Sequence, residues 1–394
     1  MPVPEIDLAD VAVLQDPCTA YARAREQSPL ARLLIPGFPM WAITRHDQAR
    51  AMLTDPRFEL SSRSYQRPAV PDDCLPYLRT MQEMEGTEHA RLRRLVSPAF
   101  TARRAAQFQP RIERIVGNLL DRLVAQGPGP VDLVPGLAQP LPMAVICELV
   151  GIPGSDRPRW HEYGAAIAAG RGDKFAEAIP GIVADARAAV VHRRAEPADD
   201  LLSDLVGAQA EGGDRLADTE IVSLVWQLVL GGQTPINLLA NGVAALLTHP
   251  DQLAALRADP GLMPRAVEEL LRWCGPQLLT IPRFAREETE IDGITIGAGD
   301  AVTVSIIATN RDPRVYTDPD RLDLARLTGA AGHLGFAHGP HFCLGASLAR
   351  AQTEVALGAL LDRFPDLALA VPAGEVTYLP DPGAWRLAAL PVNL

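Results

Sequence analysis

Cysteine is scarce in this chain, with five among 394 residues, at positions 18, 74, 147, 274 and 343. Their odd number and the lack of any C-x-x-C pair argue against a disulfide framework or a zinc ribbon. Basic charge is also short: 37 Lys and Arg face 48 Asp and Glu, for a net charge of -11. Nucleic acid and anionic membrane both call for a basic surface, so neither is an expected partner. A long hydrophobic run is missing too. The most apolar region, 221–247, is broken by Gln227, Gln233, Thr234, Pro235, Asn237 and Asn241, which makes it a poor membrane span. The opening MPVPEIDLADVAVLQDPC lacks the basic-then-apolar order of a signal segment, so a cytoplasmic location is expected.

What is present is an ordinary globular composition, 47% hydrophobic and 22% charged, enough for a large core. Length alone suggests two or three domains, yet no boundary is visible. The stretch GPGPVDLVPGLAQPLP reads as a loop between packed elements. Helical periodicity dominates. Ile112, Ile115, Val116, Leu119 and Leu123 recur at helical spacing and Gly127-Pro128 supplies a stop, which predicts an amphipathic helix. From Asp218 to Leu247 the chain is apolar almost all round, as suits a helix in the middle of a protein. A further helix is predicted from Met263 to Trp273. After it, β-branched alternation broken at Asp292-Gly293 and Gly297/Gly299 predicts a short sheet in the carboxy-terminal half.

Cys343 lies in LGFAHGPHFCLGASLARAQTEVALGALL, between glycines and an apolar stripe of Leu348, Ala351, Val355 and Ala359. A thiol at the start of a helix faces unpaired N–H groups and the positive end of the dipole, which predicts a lowered pKa. Gly339 and Gly345 would let backbone approach a flat object closely. Three uses compete: a buried structural cysteine, a nucleophile on a sharp turn of the G-x-S-x-G kind, or an axial haem ligand.

The stretch Phe336-x-x-Gly339-x-His341-x-Cys343-x-Gly345 resembles the haem loop of the cytochrome P450 family. It departs only at Ala337, where that family usually has glycine. Other matches follow in the family's order. Glu269-x-x-Arg272 stands one turn apart on a helix face, and NRDP (310–313) and Arg326 come after it. The resemblance implies that Glu269, Arg272 and Arg326 form a buried charge network behind the haem loop. GTEHARLRRLVSPAF resembles the family's third long helix, with His89 and Arg93 on one face. By resemblance, His89, Arg93, Arg283 and His341 partner the haem propionates, Phe336 and Gly345 shape the loop, and Cys343 ligates the iron. The similarity covers roughly residues 10–394. It replaces the multi-domain expectation with a single domain, 1–394, mainly α with a minor β region, with haem between a long central helix and the helix after the Cys loop.

The family's central helix carries an acid before its threonine, followed often by a second threonine. Here the aligned residues are Leu230, Gly231, Gly232, Gln233, Thr234 and Pro235. Pro235 lacks an N–H and clashes with the carbonyl of Gly231, so the helix is expected to open there. An amide can orient water but cannot relay a proton by titrating. Gln233 and Thr234 are therefore the expected catalytic pair, with delivery more dependent on Thr234, solvent or a substrate hydroxyl. Hydroxylation is the leading expectation. Oxidative C–C or C–N coupling without oxygen insertion, for example on a cyclic peptide, is the alternative.

The resemblance implies heme b, dioxygen as co-substrate, and electrons from an external ferredoxin and ferredoxin reductase with NAD(P)H, since the fold fills the chain. Arg91, Arg94, Arg103 and Arg104 are candidate docking cations. By the same resemblance, substrate contacts are expected from about 59–84, about 165–190, the central helix with Gly231, Gly232 and Asn237, and the turn Leu278, Leu279, Thr280 and Ile281. That lining suits an apolar or moderately polar secondary metabolite such as a polyketide, terpenoid or small cyclic peptide. A monomer is expected. A haem-based sensor and a thiol hydrolase are the competing classes, and the hydrolase would want strand–helix alternation that the sequence does not offer.

Overall fold

A computed structural model describes residues 3–394 apart from 36, 66–67, 170–172, 209–212 and 328–331. Parts of both expected substrate regions, 66–67 and 170–172, therefore lie outside the described residues. Helices dominate. Those that position the site are numbered here in chain order: α1 (Gly86–Val96), α2 (Ala102–Val124), α3 (Asp218–Gly231), α4 (Pro235–Thr248), α5 (Met263–Cys274) and α6 (Ala346–Arg363).

The α2 helix starts where the Thr101 hydroxyl accepts the Arg104 N–H at 3.3 Å, and the chain leaves it through Gly127 at φ 92°. Its predicted stripe is buried: Ile112, Val116, Leu119 and Leu123 are at most 1% exposed. Each contributes about 1.5–3 kcal/mol of burial. α2 packs along α6, and α4 packs on both α5 and α6. Within α6 the buried residues include Gln352, Thr353, Ala356, Leu357 and Leu360. The predicted stripe of Leu348, Ala351, Val355 and Ala359 is only half-buried beside them.

The sheet differs from expectation. It has six strands: β1 (Glu5–Asp7), β2 (Leu30–Leu34), β3 (Met40–Ile43), β4 (Phe58–Glu59), β5 (Arg283–Ala285) and β6 (Ala301–Val304), in the order β1-β2-β3-β6-β5-β4. Four strands thus come from the amino-terminal region, because β3 runs parallel to β6 with Trp41 opposite Val302. This long-range pairing has no local sequence signal. It also shapes the site, since β5 pairs with β4, Phe58 opposite Ala285, which carries Arg283 toward residues 58–60. The Asp292-Gly293 turn is as predicted, both residues at positive φ (49° and 78°) between the paired Ile291 and Ile294.

The Pro/Gly-rich 128–142 segment is more ordered than a loop. It contributes Val131–Asp132 to a three-stranded sheet, a π-helical turn at Val134–Ala138 and the start of the Pro140–Leu149 helix. No described helix is long and apolar enough to cross a membrane.

Candidate active site

Cys343 sits on a turn braced by its own backbone. Its N–H donates to the Phe336 carbonyl at 2.9 Å, and the Phe342 N–H donates to Gly339 at 3.0 Å. Ala337 and Gly339 both adopt left-handed conformations, φ 59° and 77°. Gly339 is doubly required, because a Cβ there would lie 2.7 Å from Thr54 Cγ2 and 3.1 Å from the Leu53 carbonyl. Gly345 has an ordinary φ, and a Cβ on it would project into open space. The Gly339 contact is thus with the Thr54 segment, whereas Gly345 meets no neighbour on that side.

The expectation of a lowered Cys343 pKa is not met. α6 begins at Ala346, beyond Gly345. The residue as a whole is exposed, yet the surrounding loop desolvates the thiol and pushes it up. The Gly345 N–H and the charges of Arg93 and Arg350 offset this only in part. A thiol so placed becomes a thiolate when a cationic metal takes it as ligand.

Around it the structure brings together the four expected cation-bearing residues. His89 and His341 stack with ring centroids 4.2 Å apart. Arg93 Nη2 donates to the Phe342 carbonyl at 2.7 Å. Arg283 is buried, with one long contact of 3.5 Å to the Phe58 carbonyl. Burial, then His341 and Arg93, push His89 down to about 4, so it is neutral near pH 7. Burial also lowers the Arg93 and Arg283 guanidinium groups, and Glu85 pulls Arg283 back up.

Glu85 is the residue here that sequence reasoning missed. Its Oε2 lies 3.2 Å from His341 Nε2 without hydrogen-bond alignment, and its Oε1 accepts the Leu60 N–H at 2.9 Å. Burial pushes its carboxyl up, but His341, the Leu60 N–H and Arg283 outweigh this and hold it below its ordinary value. One carboxylate does not match this set of buried donors, and His341 Nε2 is left without a hydrogen bond. A flat group with carboxylates at one edge and a metal for the sulfur fits the residues present.

The predicted charge network is in place. Arg272 donates to both Glu269 oxygens at 2.7 Å, and Arg326 Nε reaches Oε1 at 3.1 Å. Glu269 and Arg272 are 1% and 2% exposed, and the remaining guanidinium protons meet the carbonyls of Asn310, Pro319, Arg321, Thr317 and Asp318. Within NRDP, Asn310 Oδ1 accepts the Leu334 N–H at 2.7 Å, which ties the network to the start of the Cys loop.

The central helix opens where Pro235 predicts. α3 ends at Gly231 and α4 begins at Pro235, so Thr234 bonds back to Gly231 at 3.4 Å in place of the usual four-residue pattern. Gly232 is needed at the break, since a Cβ would sit 2.4 Å from the Leu228 carbonyl and 2.5 Å from Ile146. Gln233 is buried and its Nε2 donates to the Val229 carbonyl at 3.1 Å, so the amide caps a carbonyl that the break would leave bare. Gly231 is exposed, and Thr234 and Asn237 are half-buried along the same element.

The turn after α5 is only partly available. Leu278 is buried in a core cluster with Phe284 and Ile307. Leu279, Thr280 and Ile281 are half-buried, but the Thr280 hydroxyl already accepts the Val304 N–H at 3.0 Å. Three expected docking arginines are already paired: Arg91 with Asp214 and Glu220, Arg94 with Asp214, and Arg104 with Asp204.

A mostly helical fold with a backbone-braced cysteine loop, a grouped set of two arginines and two histidines beside it and a broken central helix defines the haem-thiolate class. The sequence matches the Cytochrome P450 family description over residues 261–368. It is 41% identical to cytochrome P450 monooxygenase PikC of Streptomyces venezuelae, over 96% of this chain and 91% of that one. It is 40% identical to 6-deoxyerythronolide B hydroxylase of Saccharopolyspora erythraea, over 91% of each. The crystal structure of the LnmA cytochrome P450 hydroxylase from the leinamycin biosynthetic pathway of Streptomyces atroolivaceus superposes with a TM-score of 0.83, at 42% identity over 95% of each chain. The chain belongs to the cytochrome P450 family and is a monooxygenase-type oxidoreductase, working with haem, dioxygen and external electrons.

Proposed function

We propose that this enzyme hydroxylates an apolar or moderately polar secondary metabolite, with the 394 residues acting as one monomeric cytoplasmic domain. The observation that carries the reading is the Cys343 turn, braced by the Phe336 and Gly339 carbonyls, with the donors of His89, Arg93, Arg283 and His341 grouped near it. In this reading Cys343 would ligate the haem iron, the four basic residues would hold the propionates, and Phe336 and Gly345 would border the macrocycle. Haem b, when bound, supplies dioxygen activation and the oxidising power.

The chain's residues supply position and protons. Thr234, at the mouth of the helix break, holds a proton on its hydroxyl. Gln233 keeps the break open by capping Val229 and does not itself titrate. Gly231 leaves room beside the break, whereas Gly232 is packed against Ile146, and Asn237, Leu279 and Ile281 offer one polar and two apolar contacts to substrate. Among the described residues, the three paired arginines leave Arg103 as the exposed candidate contact for a ferredoxin-type donor fed by a ferredoxin reductase and NAD(P)H.

Oxidative coupling is the less supported outcome: two relatives named above are hydroxylases. The test begins with the purified protein, reduced and exposed to carbon monoxide. A red-shifted Soret band is expected, and a colourless protein overturns the reading. Turnover with a surrogate ferredoxin system, isotopically labelled dioxygen and a panel of macrolactone and terpenoid substrates then discriminates the chemistry. Label in the product is expected, whereas a cyclised product without label overturns hydroxylation.

A further inference from the structure

Behind the cysteine loop lies a second ionic cluster, separate from the Glu269 network. Arg350, in the second turn of α6, donates to both oxygens of Glu268, Nε to Oε1 at 2.5 Å and Nη2 to Oε2 at 3.1 Å. His333 Nε2 lies 3.2 Å from the same Oε2, and its Nδ1 accepts the Gly335 N–H at 3.1 Å. Burial pushes the Glu268 carboxyl up, but His333 and Arg350 outweigh it and hold it at about 2, so it is a carboxylate at neutral pH.

The cluster is aimed at the loop. The Arg350 guanidinium stands 4.6 Å over the centre of the Phe336 ring, and the His333 ring lies 5.9 Å from the same ring. Phe342 meets the same ring edge-on at 6.2 Å. The carbonyl of Phe336 accepts the Cys343 N–H. A positive group therefore stacks on the ring whose own backbone fixes the sulfur-bearing residue, and a carboxylate on α5 neutralises it. The pair is about a third exposed, 31% for Arg350 and 27% for Glu268, so water screens it in part.

We propose that Glu268, His333 and Arg350 form a charge-balanced positioning cluster that sets the reduction potential of the haem-thiolate centre through Phe336. The proposal rests on the haem-thiolate reading above. Its physical basis is simple: reduction adds negative charge next to the sulfur, so an uncompensated Arg350 favours the reduced form and loss of Arg350 disfavours it. His333 orients the shared carboxylate, and its ring fixes the Gly335 N–H at the start of the turn.

The test uses the intact holoenzyme. Glu354, one turn further along α6, is a second carboxylate that Arg350 could turn to, so Glu354→Gln is carried in every protein compared. Equilibrium reductive titration then reads the potential of the parent, Glu268→Gln, Arg350→Met and the double variant. An upward shift is expected for Glu268→Gln, a downward shift for Arg350→Met, and a return toward the parent for the double variant. Two single variants that shift in the same direction, or a double variant displaced further than either, would mean that only packing changed and would overturn the proposal. Unmoved potentials in both single variants overturn it equally. The reduced carbon monoxide band of the parent, recorded first, separates this failure from failure of the haem-thiolate reading, which would remove the band altogether.

Discussion

Ala337 holds a backbone angle that suits glycine. At φ 59° its Cβ crowds the following carbonyl, a cost of about 1–2 kcal/mol for an L-residue, offset in part by the chain entropy that glycine would lose on folding. Ala337→Gly is therefore expected to stabilise the protein by about 1 kcal/mol in chemical denaturation, with the slope of the transition unchanged. A loss of stability would show that the methyl group makes a contact worth more than the strain. His89 gives a second expectation, for the protein stripped of cofactor. Its folded-state pKa of about 4 lies below the ordinary 6.5, so the unfolded chain binds the extra proton first. Stability from this residue is fully present above pH 6.5 and is lost as pH falls from there through 4. His89→Gln should flatten that acid limb in denaturation midpoints measured across this window. An unchanged limb would mean that another group carries it.

Among the elements, the break between α3 and α4 makes the clearest prediction. Gln233 donates to the Val229 carbonyl, and an ionised carboxylate in its place cannot. In Gln233→Glu the introduced carboxyl is buried, so its folded-state pKa rises above the ordinary value of about 4.3. Below that value the protonated group still donates and stability is kept, and as pH rises through the raised pKa the bond is lost. The variant should match the wild type near pH 4 and be about 1–3 kcal/mol less stable by pH 8, the cost of an unpaired buried carbonyl. A difference independent of pH would show that the side chain swings out to water. The break itself was legible in the sequence, because Pro235 removes one donor at a known place. The amide's return to its own helix was not, since the sequence places Gln233 next to Thr234 without saying which way it turns. The same division holds elsewhere. Glu269, Arg272 and Arg326 could be read from spacing and resemblance, whereas Glu85, Glu268 and Arg350 act through contacts between elements far apart in the chain. The amino-terminal strands escaped notice for a related reason: a three- to five-residue strand such as Glu5–Asp7 is too short to show alternation, and its partner lies about a helix away.

At the scale of the whole molecule, an excess of eleven negative charges must still admit an electron donor. Arg91 and Arg104 do not serve this freely, because each is neutralised within the chain, by Asp214 and Glu220 and by Asp204. Arg103 is different: it is exposed in the first turn of α2, beside Arg104, whose side chain lines the same surface cleft as Leu348 of α6. An acidic ferredoxin approaching this face gains from that charge, and the gain is screened over roughly 10 Å at 0.1 M salt. Arg103→Glu should therefore slow reduction of the enzyme by an acidic ferredoxin several-fold at low ionic strength, with the difference from wild type shrinking as salt is raised. Arg91→Ala should act mainly through the tether to Asp214 and Glu220, lowering the unfolding midpoint while leaving the salt dependence of reduction in place. Stopped-flow reduction across a range of ionic strength checks both. A salt response that is the same in Arg103→Glu and wild type, or one abolished by Arg91→Ala, would move the docking face elsewhere.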